Sequence, residues 1–101
     1  MASVLELSEK KAEFKVIDCR TLAEFEEVRV PGVIHLPLSE IEARNFPDYL
    51  GDDEFYYVIC RSGKRSERAC QILSANGIGK PENVDGGTLA WIEAGFTTES
   101  S

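Results

Sequence analysis

The sequence predicts an α/β fold in which a parallel sheet is covered by helices on both faces. Two observations carry this. Short runs rich in β-branched and aromatic residues, around Val16, Ile34, Val58 and Val84, alternate with segments bearing helix-start and helix-stop signals. Strands alternating with helices at this spacing imply crossover connections, hence parallel strands buried on both sides. The second observation is size. A chain of 101 residues, 43% of them hydrophobic, makes one domain, 1–101, with core enough to fold without disulfides or a structural metal.

The elements follow in order. Residues 1–11 mix Val4, Leu5 and Leu7 with Glu6, Glu9, Lys10 and Lys11, a pattern that suits a short amphipathic helix. Phe14 to Asp18 reads as a buried strand. Thr21 and Glu24 have capping-box spacing for a helix to about Glu27. Pro31-Gly32 breaks the chain, and Val33 to Leu36 is a second strand closed by Pro37. Ser39 is expected to cap a helix running to about Arg44, stopped by Asn45 and Pro47. Gly51-Asp52-Asp53 turns into a central strand from Phe55. A helix is expected from about Ser66, with Ala69, Ile72 and Leu73 on its apolar face and Gly77 as its left-handed cap. Asn83 to Asp85 is a short strand, Gly86-Gly87 allows unusual backbone conformations, and Leu89, Trp91 and Ile92 lie in a last helix ended by Gly95.

Charge and cysteine usage narrow the function. The formal net charge of −7 argues against nucleic acid as the main partner, because phosphate binding needs a broad basic surface. Four of the eleven cations, Arg61, Lys64, Arg65 and Arg68, nevertheless fall within eight residues, which marks a small anion site. No apolar stretch approaches about 18 residues, and no basic-then-apolar leader is present. The chain is therefore expected to be soluble and cytoplasmic, without a membrane partner. Cys19, Cys60 and Cys70 lack metal-ligand spacing, and their odd number suggests reduced thiols.

Cys60 stands where these features meet. It ends the central strand, a short loop with Gly63 follows, and a helix begins. A tight loop entering a helix aims several unpaired N–H groups at one spot, and the helix dipole adds partial positive charge. A thiolate there is stabilised and becomes nucleophilic at neutral pH. Arg61, Lys64 and Arg65 favour the thiolate further and attract an anion. In parallel sheets ligands gather at the carboxyl ends of strands, and Asp18, Cys60 and Asp85 all lie at such ends.

Cys60-Arg61-Ser62-Gly63-Lys64-Arg65-Ser66 resembles the active-site loop of single-domain rhodaneses, sulfurtransferases that carry sulfur as a cysteine persulfide. The flanking chain is similar in order. Ile17-Asp18-Cys19-Arg20 with Glu24-Phe25 resembles the family's Asp-x-Arg motif, and Val30-Pro31-Gly32-Val33 its Ile-Pro-Gly-Ala motif. Asp85-Gly86-Gly87-Thr88-Leu89-Ala90-Trp91 with Gly95-Phe96 resembles its closing Gly-Gly-x-x-x-Trp signature. The resemblance runs from about Phe14 to Phe96. It implies a rhodanese-like three-layer α/β/α fold with a central parallel sheet of four to five strands, the N-terminal edge strand being reduced to Ala2-Ser3 or missing.

The resemblance also implies chemistry. Cys60 would attack the outer sulfur of a small anionic donor such as thiosulfate, hold it as a persulfide in a cradle of N–H groups from Arg61 to Ser66, and pass it to cyanide or a thiol. No cofactor is needed. Arg61 and Lys64 would bind the donor's sulfonate, with Arg65 as a helper or loop brace. Ser62 and Gly63 would shape the loop, and Ser66 would be an N-cap or first-turn residue. Asp18 and Arg20 would form a supporting ion pair, and His35 would pack and hydrogen-bond. A protein donor or acceptor is the alternative, which makes the domain a persulfide relay or an interaction module.

Cysteine phosphatases, with Cys-x5-Arg, use a loop one residue longer. Here the residue six after Cys60 is Ser66, and Arg65 comes one position early. Two departures from the family stand out. Val28-Arg29 replaces its usual Gly-His, and Cys19 sits where it usually has Val, which makes Cys19 a packed small hydrophobe. Cys70 is expected to be buried on the following helix. A lesser reading makes Cys19 or Cys70 a resolving thiol for Cys60.

Overall fold

The computed structural model describes residues 1–101. Nine elements follow one another: α1 (Val4–Lys10), β1 (Lys15–Asp18), α2 (Leu22–Glu27), β2 (Ile34–His35), α3 (Leu38–Glu42), β3 (Phe55–Ile59), α4 (Lys64–Ala75), β4 (Lys80–Asn83) and α5 (Gly87–Glu93). The strands form one sheet of order β2-β1-β3-β4, and every pairing is parallel. Ala2 adds a single parallel bridge to Val84, so the expected N-terminal edge strand is reduced to one residue.

Strand alternation builds two cores. Ile17, Tyr56 and Val58 face one side, where Ile41 of α3 and Ala69, Ile72 and Leu73 of α4 cover them. Val16, Tyr57 and Ile59 face the other, against Leu7 of α1 and Trp91 of α5. Because successive side chains point to opposite faces, a strand buried on both sides must be apolar at every position. Phe55 to Ile59 meets that demand.

Local chemistry sets most element ends. Thr21 and Glu24 cap α2 reciprocally, side chain to backbone in both directions. Ser3 caps α1 through the Glu6 N–H at 3.1 Å. Gly77, at φ 70°, lies just past α4 in the left-handed region.

Several boundaries differ from expectation. Helix α3 starts at Leu38 with Pro37 at its N-cap, so Ser39 lies inside the helix and caps nothing. The fixed φ of proline supplies the entry that a side-chain cap would otherwise provide. The turn after α3 is made at Arg44, at φ 64°, ahead of Asn45 and Pro47. Strand β4 occupies Lys80–Asn83, ending where the strand expected over Asn83–Asp85 would begin. Its Lys-Pro-Glu run suits an edge, where Pro81 need not donate to a further strand. No helix is long and apolar enough to cross a membrane.

Candidate active site

The two central strands, β1 and β3, are neighbours whose onward connections part. The chain leaves β1 through α2 to β2 on one side, and leaves β3 through α4 to β4 on the other. Such a divergence opens a crevice at the carboxyl ends of the strands. Cys19 and Cys60 follow the last residues of β1 and β3 and stand there side by side.

The loop after Cys60 is locked from beneath. The Thr88 N–H donates to the Cys60 carbonyl at 2.8 Å, and the Leu89 N–H donates to the Arg61 carbonyl at 3.0 Å. This close approach explains Gly87. It sits at φ 57°, and a Cβ there would collide with the carbonyls of both Cys60 and Arg61. Gly63, at φ 104°, turns the loop into α4, which begins at Lys64, two residues earlier than expected. Ser66 is therefore a first-turn residue.

Cys60 is 1% exposed, and its sulfur is surrounded by donors. The Gly63 N–H donates to Sγ at 3.1 Å, and the Ser66 hydroxyl lies at 3.3 Å. The Cys60 thiol titrates well below the ordinary range. The largest cause is a hydrogen bond from Cys19; burial opposes it, and the Ser66 hydroxyl with the Ser66 and Gly63 N–H groups adds to it. Cys19 moves the opposite way, because it is hydrogen-bonded to Cys60, buried, and close to the charges of Cys60 and Asp18. N–H donors converge on Cys60, whereas none is directed at Cys19, so the shared negative charge settles on Cys60. Cys19 packs in the core as expected, and it is also the thiol partner of Cys60.

Behind the sulfur lies a residue that the sequence reading did not select. The Asn83 amide donates to the Gly63 carbonyl at 3.1 Å, and its oxygen makes a short contact with the Ser66 hydroxyl. Ser66 Oγ also lies 3.2 Å from the Gly63 carbonyl. A hydroxyl has one proton, so these acceptors compete with Cys60 for it. Asn83 is 8% exposed at the end of an edge strand; a buried polar residue at a strand's carboxyl end is the one sequence signal that could have found it.

The cations separate into two kinds. Arg65 is a brace: its guanidinium grips Glu24 of α2 through two bonds of 2.7 and 2.9 Å. That pairing, above all, pushes the Glu24 carboxyl down to about 2. Arg61 and Lys64 are exposed and have no carboxylate partner. Arg61 lines a depression of about 220 Å³ with Arg20, Glu27, Thr88, Leu89 and Ile92, while Lys64 lines none. A second depression, about 370 Å³, has Cys19, Arg20, Leu22, Leu38 and Arg65 in its wall. The largest, about 560 Å³, lies at the far end of the sheet among Phe14, Lys15 and Phe55, away from any cysteine.

The supporting residues sit as a buried scaffold. Arg20 binds Asp18 through Nε at 3.0 and 3.1 Å and Nη2 at 2.7 Å, and Nη2 also donates to the Val28 carbonyl at 2.7 Å. The substituted Val28 thus still fixes the turn through its backbone. His35 stacks on Phe25 with ring centres 4.6 Å apart, and its Nε2 lies 2.7 Å from the Arg20 carbonyl. Asp85 is exposed and makes no side-chain bond to the loop. Cys70, midway along α4, is half-buried, and burial pushes its thiol up to about 12. A thiolate among donors, beside a cation-bearing depression, is equipped to attack an anionic electrophile and hold the group it gains.

Known proteins resemble this chain in sequence and fold. The family profile described as Rhodanese-like domain matches residues 2–94. A putative sulfurtransferase, YtwF of Bacillus subtilis, is 36% identical over 90 residues, covering 89% of this chain and 84% of its own. A sulfurtransferase of Allochromatium vinosum is 35% identical, covering 80% and 74%. The putative sulfur carrier protein YrkF of B. subtilis is 38% identical over 76 residues, 75% of this chain, which matches 40% of that protein's length. Among solved structures, a rhodanese-related protein from Thermoplasma volcanium superposes with a TM-score of 0.86 at 30% identity, covering 98% of this chain and 96% of its own.

Proposed function

The chain belongs to the rhodanese-like domain family, and from that premise we propose that it is a sulfurtransferase whose Cys60 carries sulfane sulfur as a persulfide. The observation that carries the reading is the Cys60 sulfur itself. It is buried, bonded by the Gly63 N–H at 3.1 Å, and seated before a twelve-residue helix. The thiolate attacks the outer sulfur of thiosulfate or a similar anionic donor, sulfite leaves, and the charge of the persulfide is met by the loop N–H groups and the helix terminus. Cyanide or a thiol then attacks the outer sulfur and restores the thiolate. Arg61 draws the donor's sulfonate into the depression beside Thr88, and Lys64 contributes charge from the exposed first turn of α4.

The direct test is steady-state transfer from thiosulfate to cyanide. Cys60→Ala is expected to abolish transfer while leaving the far-ultraviolet spectrum unchanged. Arg61→Ala is expected to raise the thiosulfate KM several-fold with kcat little altered, because a charge on the approach contributes to binding in ground and transition states alike. An unchanged KM would remove Arg61 from donor binding.

A second reading has its own support. Leu22, Leu89 and Ile92 are large apolar side chains left exposed around the two depressions. Exposed apolar groups next to a reactive centre suit a protein donor or acceptor, and one relative is a putative sulfur carrier. In that case Cys60 is loaded by a partner, and the rate rises only weakly and without saturation as thiosulfate is added.

A further inference from the structure

Transfer through Cys60 alone leaves a buried nucleophile unused. Cys19 is 1% exposed, as is Cys60. The pairing of β1 with β3 sets Asp18 beside Ile59 and continues one step further, with the Cys19 N–H donating to the Ile59 carbonyl at 3.0 Å. Cys19 and Cys60 are therefore lateral neighbours. Ile17 and Cys19 on one strand, and Tyr56, Val58 and Cys60 on the next, all enter the same core. Adjacent strands lie about 4.8 Å apart, within the Cα separation of about 4.4–6.8 Å that a disulfide spans. Cys19 also lines the 370 Å³ depression, on the α3 side of the crevice. The 220 Å³ depression that holds Arg61 and Thr88 shares Arg20 with it.

We propose that Cys19 is a second reacting thiol, which discharges an unclaimed Cys60 persulfide as hydrosulfide and leaves a Cys19–Cys60 disulfide. The step rests on the persulfide reading above. The Cys19 sulfur attacks Cys60 Sγ, the inner sulfur, as its proton passes to the outer sulfur. The bond between inner and outer sulfur breaks, and its electron pair leaves with the outer sulfur as hydrosulfide. The sulfane sulfur is reduced to sulfide while the two cysteines are oxidised to the disulfide, so no outside oxidant is needed. A low-molecular-weight dithiol, entering by the Cys19 depression, returns the pair to thiols.

Persulfide formation itself releases Cys19 for this role. While Cys60 is a thiolate, its hydrogen bond and its charge hold the proton on Cys19. Once Sγ is bonded to a second sulfur, the negative charge lies on the outer atom and both restraints weaken. Cys60 without sulfur keeps Cys19 inert; Cys60 with sulfur frees it.

The test loads reduced protein with equimolar thiosulfate in the absence of cyanide or thiol, then follows intact mass and bimane-trapped hydrosulfide. The parent is expected to release one hydrosulfide per chain, lose two hydrogens, and yield a Cys19–Cys60 cross-linked peptide. Cys19→Ser, which keeps a hydroxyl donor beside Cys60 but cannot form the disulfide, should instead hold one added sulfur on Cys60 and release hydrosulfide only at the buffer background. Cys70→Ala should behave as the parent. A parent that keeps the added sulfur with Cys19 still open to alkylation after unfolding overturns the proposal and leaves the persulfide reading intact. No added sulfur on the parent or on Cys19→Ser, with no hydrosulfide from either, overturns both.

Discussion

Cys60 owes its reactivity to neighbours that can be removed singly. An unperturbed thiol titrates near 8.5, so its thiolate fraction changes about 80-fold between pH 6 and 8. Cys60 is held well below that range by Cys19, Ser66 and the loop N–H groups. Its alkylation by iodoacetamide should accordingly be nearly flat across that interval. Ser66→Ala removes one donor and should raise the midpoint by about one unit, since a hydrogen bond to a charged group contributes about 1.5–3 kcal/mol and Ser66 shares its proton with Asn83. A steep parent profile would show that the donors do not act on the sulfur. The nucleophile was legible in the sequence because its signals are local: strand, cysteine, glycine, cations and helix within a dozen residues. Cys19 was legible only as one of two candidate thiol partners, level with Cys70, and Asn83 was not legible as a partner. The nearness of Cys19 and Asn83 to Cys60 arises from the pairing of β1 and β4 with β3, which no stretch of chain near Cys60 records.

At the scale of elements, the site depends on how α2 and α5 are fixed against the loop. The Glu24–Arg65 pair ties α2 to α4. Its carboxyl falls from 4.5 to about 2 on folding. The pair therefore adds stability that is complete above about pH 4.5 and is lost as pH falls through about 2. Both side chains are about a third exposed, so solvent screening limits the contribution to about 1 kcal/mol. Glu24→Gln should lower the unfolding midpoint by a few degrees at pH 6, and the gap should close towards pH 2. A gap that persists at pH 2 would mean that packing, not charge, links the helices. Gly87→Ala should cost far more. It adds a Cβ at positive φ and drives it into the carbonyls of Cys60 and Arg61, so sulfur transfer and stability should fall together. The capping box of α2 was readable because Thr21 and Glu24 name their own partners. The starts of α3 and β4 were misjudged because Pro37 replaces a side-chain cap and β4 is ordered by its neighbour β3 in spite of its own composition.

Across the whole molecule, the fold follows from one pattern repeated. Strands apolar on both faces call for a helical layer on each side, and the two cores are the result. The class and the parallel sheet were legible at this level, while the N-terminal edge, reduced or missing, came only from the family resemblance. The strand order was not, since the divergence of connections at β1 and β3 is a property of topology and not of composition. That divergence brings the cysteines together at the carboxyl ends of the central strands. The chain also carries a net charge of −7 while Arg61 and Lys64 stand unpaired at the site, so the positive field there is local and short in range. The central claim is that Cys60 carries the transferred sulfur, and intact mass tests it most directly. Cys19→Ser protein, which keeps a hydroxyl donor at that position and carries no second thiol there, is mixed briefly with thiosulfate and then with cyanide, beside a variant that also carries Cys60→Ala. The account predicts a gain of one sulfur mass that cyanide removes and that the double variant never shows. A gain that survives in the double variant, or no gain at all, would contradict it.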